Sequence, residues 1–284
     1  MQPELIDVVF RSQKRRDLLL LLGEKTRTIE EIKTLLDVSP TSILPQIKRL
    51  TDSSLVVQRD GVYELTDLGE QVVKKVRPLV NVLSLLETND YWLEHDLSGI
   101  PQYLQERLGD LKGCQLFEPD PSQIFEPSTD LLHFFSTSRY MVALSSFYRP
   151  EFLPLYSRLG RTGAEVSMIF TESVLEKTLY NYEKKIKKFA GMGNTELFAC
   201  NDGVRIAELI ISDRGMILSL FARNGRFYHD YVFCPDPQAI QWGMELFEFY
   251  KSGSWKIEDA GDMEHFECTS RGEPLPESLL FSLQ

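Results

Sequence analysis

Thr41, Ser42, Gln46 and Arg49 are the first residues of this chain whose types and spacing suggest chemistry. They alternate with Ile43, Ile47 and Leu50, apolar positions at i, i+4 and i+7 that must share one helix face, so the polar four take the solvent side. Short hydroxyls come first and longer donors follow. Such groups exchange hydrogen bonds with the edges of another molecule, and a helix furnished this way suits a DNA major groove. Ser39 before them, Lys48 among them and Arg59 further on complete the expected double-stranded DNA contacts. Lys14, Arg15 and Arg16 add to the cations available for phosphates.

A second set follows two short apolar runs. Ser145, Ser146, Tyr148 and Arg149 come after Met141–Leu144, and Thr171 and Glu172 after Ala164–Phe170. In open α/β sheets ligands sit beyond the carboxyl ends of parallel strands and against helix N-termini, so these six are expected to hold a small polar or anionic effector. Ser and Thr are equally the usual helix caps, and both roles stay open.

Catalysis finds no such support. There is no GxxxxGK[ST], GxGxxG or HExxH, and Ser145-Ser146 lacks a nucleophile-elbow context, so no enzyme activity, cofactor or metal is expected. His229-Asp230 resembles an acid–base pair, but neighbours on a strand point to opposite faces and do not converge. Cys114, Cys200, Cys234 and Cys268 are too widely spaced for zinc knuckles or a dense disulfide framework, and reduced thiols are expected.

The elements that must position the first set occupy Thr28 to Thr66. Thr28 with Glu31 forms a capping box, and Ile29, Ile32, Leu35 and Leu36 recur at helical spacing. Ser39-Pro40 opens the second helix, Ser39 as cap and Pro40 at the first helical position, while Pro45 predicts a kink or an irregular turn. Leu55-Val56-Val57 and Val62-Tyr63-Glu64-Leu65 flank Arg59-Asp60-Gly61, a tight-hairpin signal. Helix, turn, helix and hairpin in this order make a winged helix-turn-helix. A helix over residues 4 to 22 precedes it. Val72, Val76, Leu79, Leu83 and Leu86 follow it at coiled-coil spacing, which suits a homodimer; a helix pair packed on its own domain and broken at Arg77-Pro78 fits the same residues.

Beyond residue 120 the pattern becomes α/β. Strand–helix units over 141–190 imply parallel pairing, three later strands with turns at Asp213-Arg214-Gly215 and Asn224-Gly225 form an antiparallel meander, and Gln238–Tyr250 is an amphipathic helix. A short helix is expected near Ser128–Ser138. The expected organisation is α/β (α+β overall): residues 1–90 a winged helix-turn-helix domain, 91–120 a helical linker, 121–252 an α/β domain with a mixed sheet, and 253–284 an acidic, poorly ordered tail. The 284 residues with 43% hydrophobic content suit two domains. No apolar run is long enough for a membrane span, and no signal-peptide pattern is read, so a cytoplasmic location is expected. The net charge of −11 is unevenly spread, the first eighty residues being nearly neutral, so DNA contact should be confined to the small domain.

Tyr63-Glu64-Leu65-Thr66-Asp67-Leu68-Gly69 resembles the stretch into which the wing runs in archaeal and bacterial winged-helix transcriptional regulators. Ser212–Phe221 and Trp242–Tyr250 resemble the regulatory domain of methanogen winged-helix regulators, and that resemblance covers about residues 5 to 252. It implies an archaeal transcription factor whose larger domain senses a metabolite or forms an oligomer, and it carries over no ligand-binding residue. Regulatory domains of some archaeal sugar regulators resemble phospholipase D; its His-x-Lys signature is absent here, since none of the four histidines has Lys two places on. The rival functions are a metabolic enzyme with an accessory winged helix and a scaffold that binds the transcription machinery.

Overall fold

The computed structural model describes residues 4–118, 136–150 and 152–257. Contacts divide the chain between Asn81 and Val82 into two units. The helix expected near 128–138 and the tail from 258 onward lie outside the described residues, apart from the end of the former.

The first unit is a winged helix. In place of one helix over 4–22 there are two, α1 (Leu5–Phe10) and α2 (Gln13–Leu22), separated where Ser12 is extended and its carbonyl accepts the Arg15 and Arg16 amides. A two-residue strand β1 (Arg27–Thr28) leads into α3 (Ile29–Leu36), whose capping box is complete: Glu31 N–H donates to Thr28 Oγ1 at 3.2 Å and Thr28 N–H to Glu31 Oε2 at 2.8 Å. Such a cap stabilises a helix by about 1 kcal/mol. Asp37 in the left-handed region turns the chain into α4 (Pro40–Asp52). Helix α4 runs unbroken through Pro45. Burial of Ile43, Ile47 and Leu50 holds the turns on both sides of the missing N–H.

Strands β2 (Val56–Arg59) and β3 (Val62–Leu65) form the wing, joined by Asp60 and Gly61, both at positive φ as a tight hairpin turn demands. The sheet order is β1-β3-β2. The Leu65-Thr66-x-x-Gly69 stretch has a packing reason. Thr66 Oγ1 accepts the Gly69 N–H at 3.0 Å, and a Cβ on Gly69 would run into the Leu55 carbonyl oxygen, so the wing returns against backbone that only glycine leaves room for.

Helix α5 (Asp67–Thr88) contains Pro78 without breaking there. Its expected seam divides: Val72 and Val76 pack in the winged-helix core, Leu86 packs against the core of the second unit, and Leu79 and Leu83 stay exposed at 48% and 46%.

In the second unit an eight-stranded mixed sheet carries helices on both faces. Short α6 (Tyr91–Glu94), α7 (Gln102–Gln105) and a 3-10 turn (Leu108–Leu111) precede β4 (Gln115–Phe117). Then come β5 (Tyr140–Ser145), α8 (Phe152–Arg161), β6 (Glu165–Thr171), α9 (Glu172–Ala190), β7 (Thr195–Cys200), β8 (Ile206–Ser212), β9 (Gly215–Leu220), β10 (Tyr231–Cys234), α10 (Pro237–Ser252) and β11 (Trp255–Lys256). The order is β11-β7-β6-β5-β8-β9-β10-β4; β5, β6 and β7 are parallel and the remaining pairs antiparallel. Helices α8 and α9 cover one face. Helix α10 covers the other together with Tyr91, Trp92, Leu104, Leu108 and Leu111. Residues 91–111, expected as a helical bridge, are therefore core of the sheet unit, because their apolar side chains cover β8 and β9. Trp242 Nε1 donates to the Leu104 carbonyl at 3.0 Å and seals that packing.

The thiol expectation is corrected at β4 and β10. Antiparallel pairing of Gln115 with Phe233 sets Cys114 opposite Cys234, Cα atoms 4.3 Å apart, and the two form a disulfide. A sequence separation of 120 hid a pair that the register makes adjacent. Among the described residues, no helix is long and apolar enough to cross a membrane.

Candidate functional site

Helix α4 turns Ile43, Ile47 and Leu50 inward and leaves Thr41, Lys48 and Arg49 exposed, with Ser42 and Gln46 half-buried. Ser39 stands at the N-cap position, but its hydroxyl pairs with Thr41 Oγ1 at 3.1 Å instead of capping the helix. Ser42 Oγ donates to the Ser39 carbonyl at 2.9 Å. Gln46 is tethered: its Oε1 accepts from Arg15 Nη1 at 2.9 Å, which leaves the amide N–H groups as its outward donors. On the wing, Arg59 is exposed and lies 3.1 Å from Glu64.

Arg15 is not a surface cation. It is 4% exposed, and besides Gln46 it donates to the Val8 carbonyl at 2.5 Å and the Asp7 carbonyl at 3.1 Å. Burial lowers its pKa first, and the Arg49 charge adds to that. The sequence held the signal: Arg15 precedes Leu18, Leu19 and Leu22 by three, four and seven residues, so it shares their buried stripe. Its role is to tie α1 and α2 to α4 and to aim Gln46. Lys14 is exposed, and Arg16 lies 3.6 Å from Asp17.

In the second unit Ser145, Tyr148 and Arg149 come together beyond the end of β5, beside Phe147, Phe170 and Tyr182. The cavity there is about 10 Å³, room for about one water. Ser145 Oγ donates to the Phe147 carbonyl at 2.7 Å, and Ser146 Oγ to the Ile206 carbonyl at 2.5 Å, away from the cavity. Thr171 and Glu172 begin α9 and do not line the cavity. Arg149 instead meets three residues that the sequence did not place beside it: Glu208 at 3.9 Å, His229 Nδ1 at 3.4 Å and the Phe227 ring at 5.9 Å. Burial, with the nearby Arg149 charge, holds the His229 imidazole below its usual pKa. Glu208 was detectable as one carboxylate in the apolar run Ile206–Ile211; His229 was noticed only beside Asp230 and Phe227 not at all, because their loop folds onto Arg149 from a distance. Asp230 turns elsewhere, to His95. Among the described residues, no group of three or more His, Cys, Asp or Glu could hold a metal ion.

Comparison with known proteins finds a similarity for each unit. Residues 3–87 match the HVO_A0261 N-terminal domain, and residues 124–253 match the middle domain of methanogenesis regulatory protein FilR1. The methanogenesis regulatory protein FilR1 of Methanothrix harundinacea is 27% identical over 268 residues, which cover 91% of this chain and 59% of that protein. Among solved structures, the archaeal chromatin protein TrmBL2 has a TM-score of 0.42 at 14% identity, covering 89% of this chain and 98% of its own. NucT from Helicobacter pylori has a TM-score of 0.39 at 15% identity, covering 51% of this chain and 98% of its own. Structural likeness at these scores carries no argument. The two matches lie in the order that the fold shows: this chain is similar to the HVO_A0261 N-terminal domain over the winged helix and to the FilR1 middle domain over the sheet unit, and it spans about 59% of the length of the FilR1 relative.

Proposed function

We infer that this protein is a sequence-specific DNA-binding transcriptional regulator and not an enzyme. The observation that carries this reading is the solvent face of α4: Thr41, Lys48, Arg49 and the amide of Gln46 point outward, and Gln46 is fixed from behind by a buried arginine. Pre-aimed donors lose less freedom on binding, and a bidentate side chain–base pair discriminates by about 1–3 kcal/mol. The FilR1 relative, a regulatory protein by name, supports the same reading. Fluorescence anisotropy with promoter fragments at fixed salt tests it. Gln46→Ala and Arg49→Ala should weaken binding to the preferred fragment while the helical circular dichroism is kept, and Lys48→Ala should reduce the salt slope by about 0.9 per protomer bound. Retention of full affinity by both Gln46→Ala and Arg49→Ala contradicts α4 as the reading helix.

The protein acts as a homodimer in this reading, since Leu79 and Leu83 leave an apolar strip on α5. Light scattering of the free protein and of its DNA complex decides between dimer and monomer. The sheet unit biases DNA binding by preferring one conformation when an effector is bound. At Arg149 an effector has to open a cavity that is nearly filled.

A further inference from the structure

We propose that the cleft over His95 and Asp230 binds a small zwitterion, a molecule with an ammonium group and a carboxylate such as a free amino acid. The cleft has a volume of about 650 Å³, within the size range of small-molecule sites, and shares no lining residue with the Arg149 cavity.

Its floor is a pair, His95 buried and Asp230 half-buried. His95 is 2% exposed and stacks on the Tyr91 ring with centroids 3.9 Å apart. Its Nδ1 lies 2.7 Å from the Tyr91 carbonyl oxygen, an acceptor only, so Nδ1 carries the hydrogen. Nε2 faces Asp230 Oδ2 at 3.3 Å. The other oxygen, Asp230 Oδ1, is buried and has no hydrogen-bond partner among the described residues. A desolvated carboxylate oxygen without a donor is an incomplete interaction, which a ligand N–H completes once a small turn of the Asp230 side chain opens it to the cleft.

The rim supplies both signs. Glu94, Glu118 and Arg223 are exposed around the cleft, with the Tyr228 ring beside them. Arg223 N–H donates to the Glu94 carbonyl at 3.0 Å and Asp96 N–H to the Phe221 carbonyl at 2.8 Å, so the two rim segments are joined before anything binds. Three carboxylates against one guanidinium and one imidazole favour an ammonium inside, and Arg223 offers a carboxylate its partner. A simple amine leaves Arg223 unused, and a simple acid meets a cleft of its own sign.

The test is calorimetric titration of the full chain at neutral pH with each proteinogenic amino acid, using methylamine and acetate as single-charge controls. At least one amino acid should bind below millimolar Kd, with both controls about ten-fold weaker or worse. Arg223→Ala, which removes an exposed side chain, and Asp230→Asn should each weaken that binding about ten-fold, while Lys188→Ala should not change it; thermal melts confirm that the variants are folded. The proposal is overturned if no amino acid binds at millimolar concentration, if methylamine or acetate binds as well as the amino acid, or if Arg223→Ala leaves affinity unchanged. Binding is read without DNA, so the result is independent of the regulatory assignment.

Discussion

Replacing Arg15 by Met should destabilise the winged helix and leave the sheet unit untouched. Met keeps much of the volume, so packing changes little, but the Val8 carbonyl, the Asp7 carbonyl and Gln46 Oε1 all lose their donor. The Val8 bond is buried, and its orphaned acceptor costs about 1–3 kcal/mol; the other two are partly buried, where water recovers part of a loss of about 1 kcal/mol each. Relief of the buried guanidinium's desolvation returns some of this. The balance is about 2–3 kcal/mol, which at a urea slope of about 1 kcal/mol/M lowers the midpoint by about 2–3 M. The molecule supplies its own control. Its three tryptophans, Trp92, Trp242 and Trp255, all lie beyond the winged helix, so their fluorescence follows the sheet unit while far-ultraviolet circular dichroism also follows α1 to α4. The reasoning is refuted if the early dichroism transition moves by less than about 0.5 kcal/mol, or by no more than it does for the exposed neighbour in Lys14→Met.

Gly69→Ala pushes a methyl group into the Leu55 carbonyl and should cost the winged helix about 1–3 kcal/mol in the same urea experiment. Cys114→Ser opens a link of sequence separation 120 and should lower the tryptophan-detected midpoint, by up to about 4–5 kcal/mol on the chain-entropy model; treatment of the parent with dithiothreitol should reproduce the shift. Burial pulls the His95 pKa down, but the Asp230 side chain and the Tyr91 carbonyl outweigh it and leave the imidazole above its ordinary value. The stabilisation is therefore fully present below about pH 6.5 and is lost as pH rises through the folded-state pKa, and Asp230→Asn should flatten that dependence of the midpoint.

Much of the winged helix was legible because its signals are local. The Thr28–Glu31 capping box, the Asp60-Gly61 turn and the i, i+4, i+7 stripe of α4 each act within a few residues, and each forms as its chemistry requires. The break read at Arg77-Pro78 does not form, because a missing helix bond weighs less than the burial of neighbours such as Val73 and Val76. In the sheet unit the parallel and antiparallel runs were legible from strand–helix alternation and turn residues. Invisible were the contacts made across the chain: β5 against β8, β4 against β10, and the packing of residues 91–111 on the sheet. The same limit governs the sites. Arg149 stood out as a polar residue after a strand, whereas its partners Glu208 and His229 lie about sixty and eighty residues away and meet it only in the folded sheet.

The cross-strand disulfide also has to be kept from the wrong thiol. Cys114 leaves the ribosome first, and the next thiol to appear is Cys200, not its native partner Cys234. Cys200 ends the parallel strand β7, where burial first and the carboxylates of Asp202 and Glu172 next push its thiol up to about 12. A thiol so rarely ionised is a poor nucleophile. In the folded sheet, therefore, Cys200 does not compete with Cys114 for Cys234, and the cross-strand bond is protected from exchange by the burial of the one other described thiol.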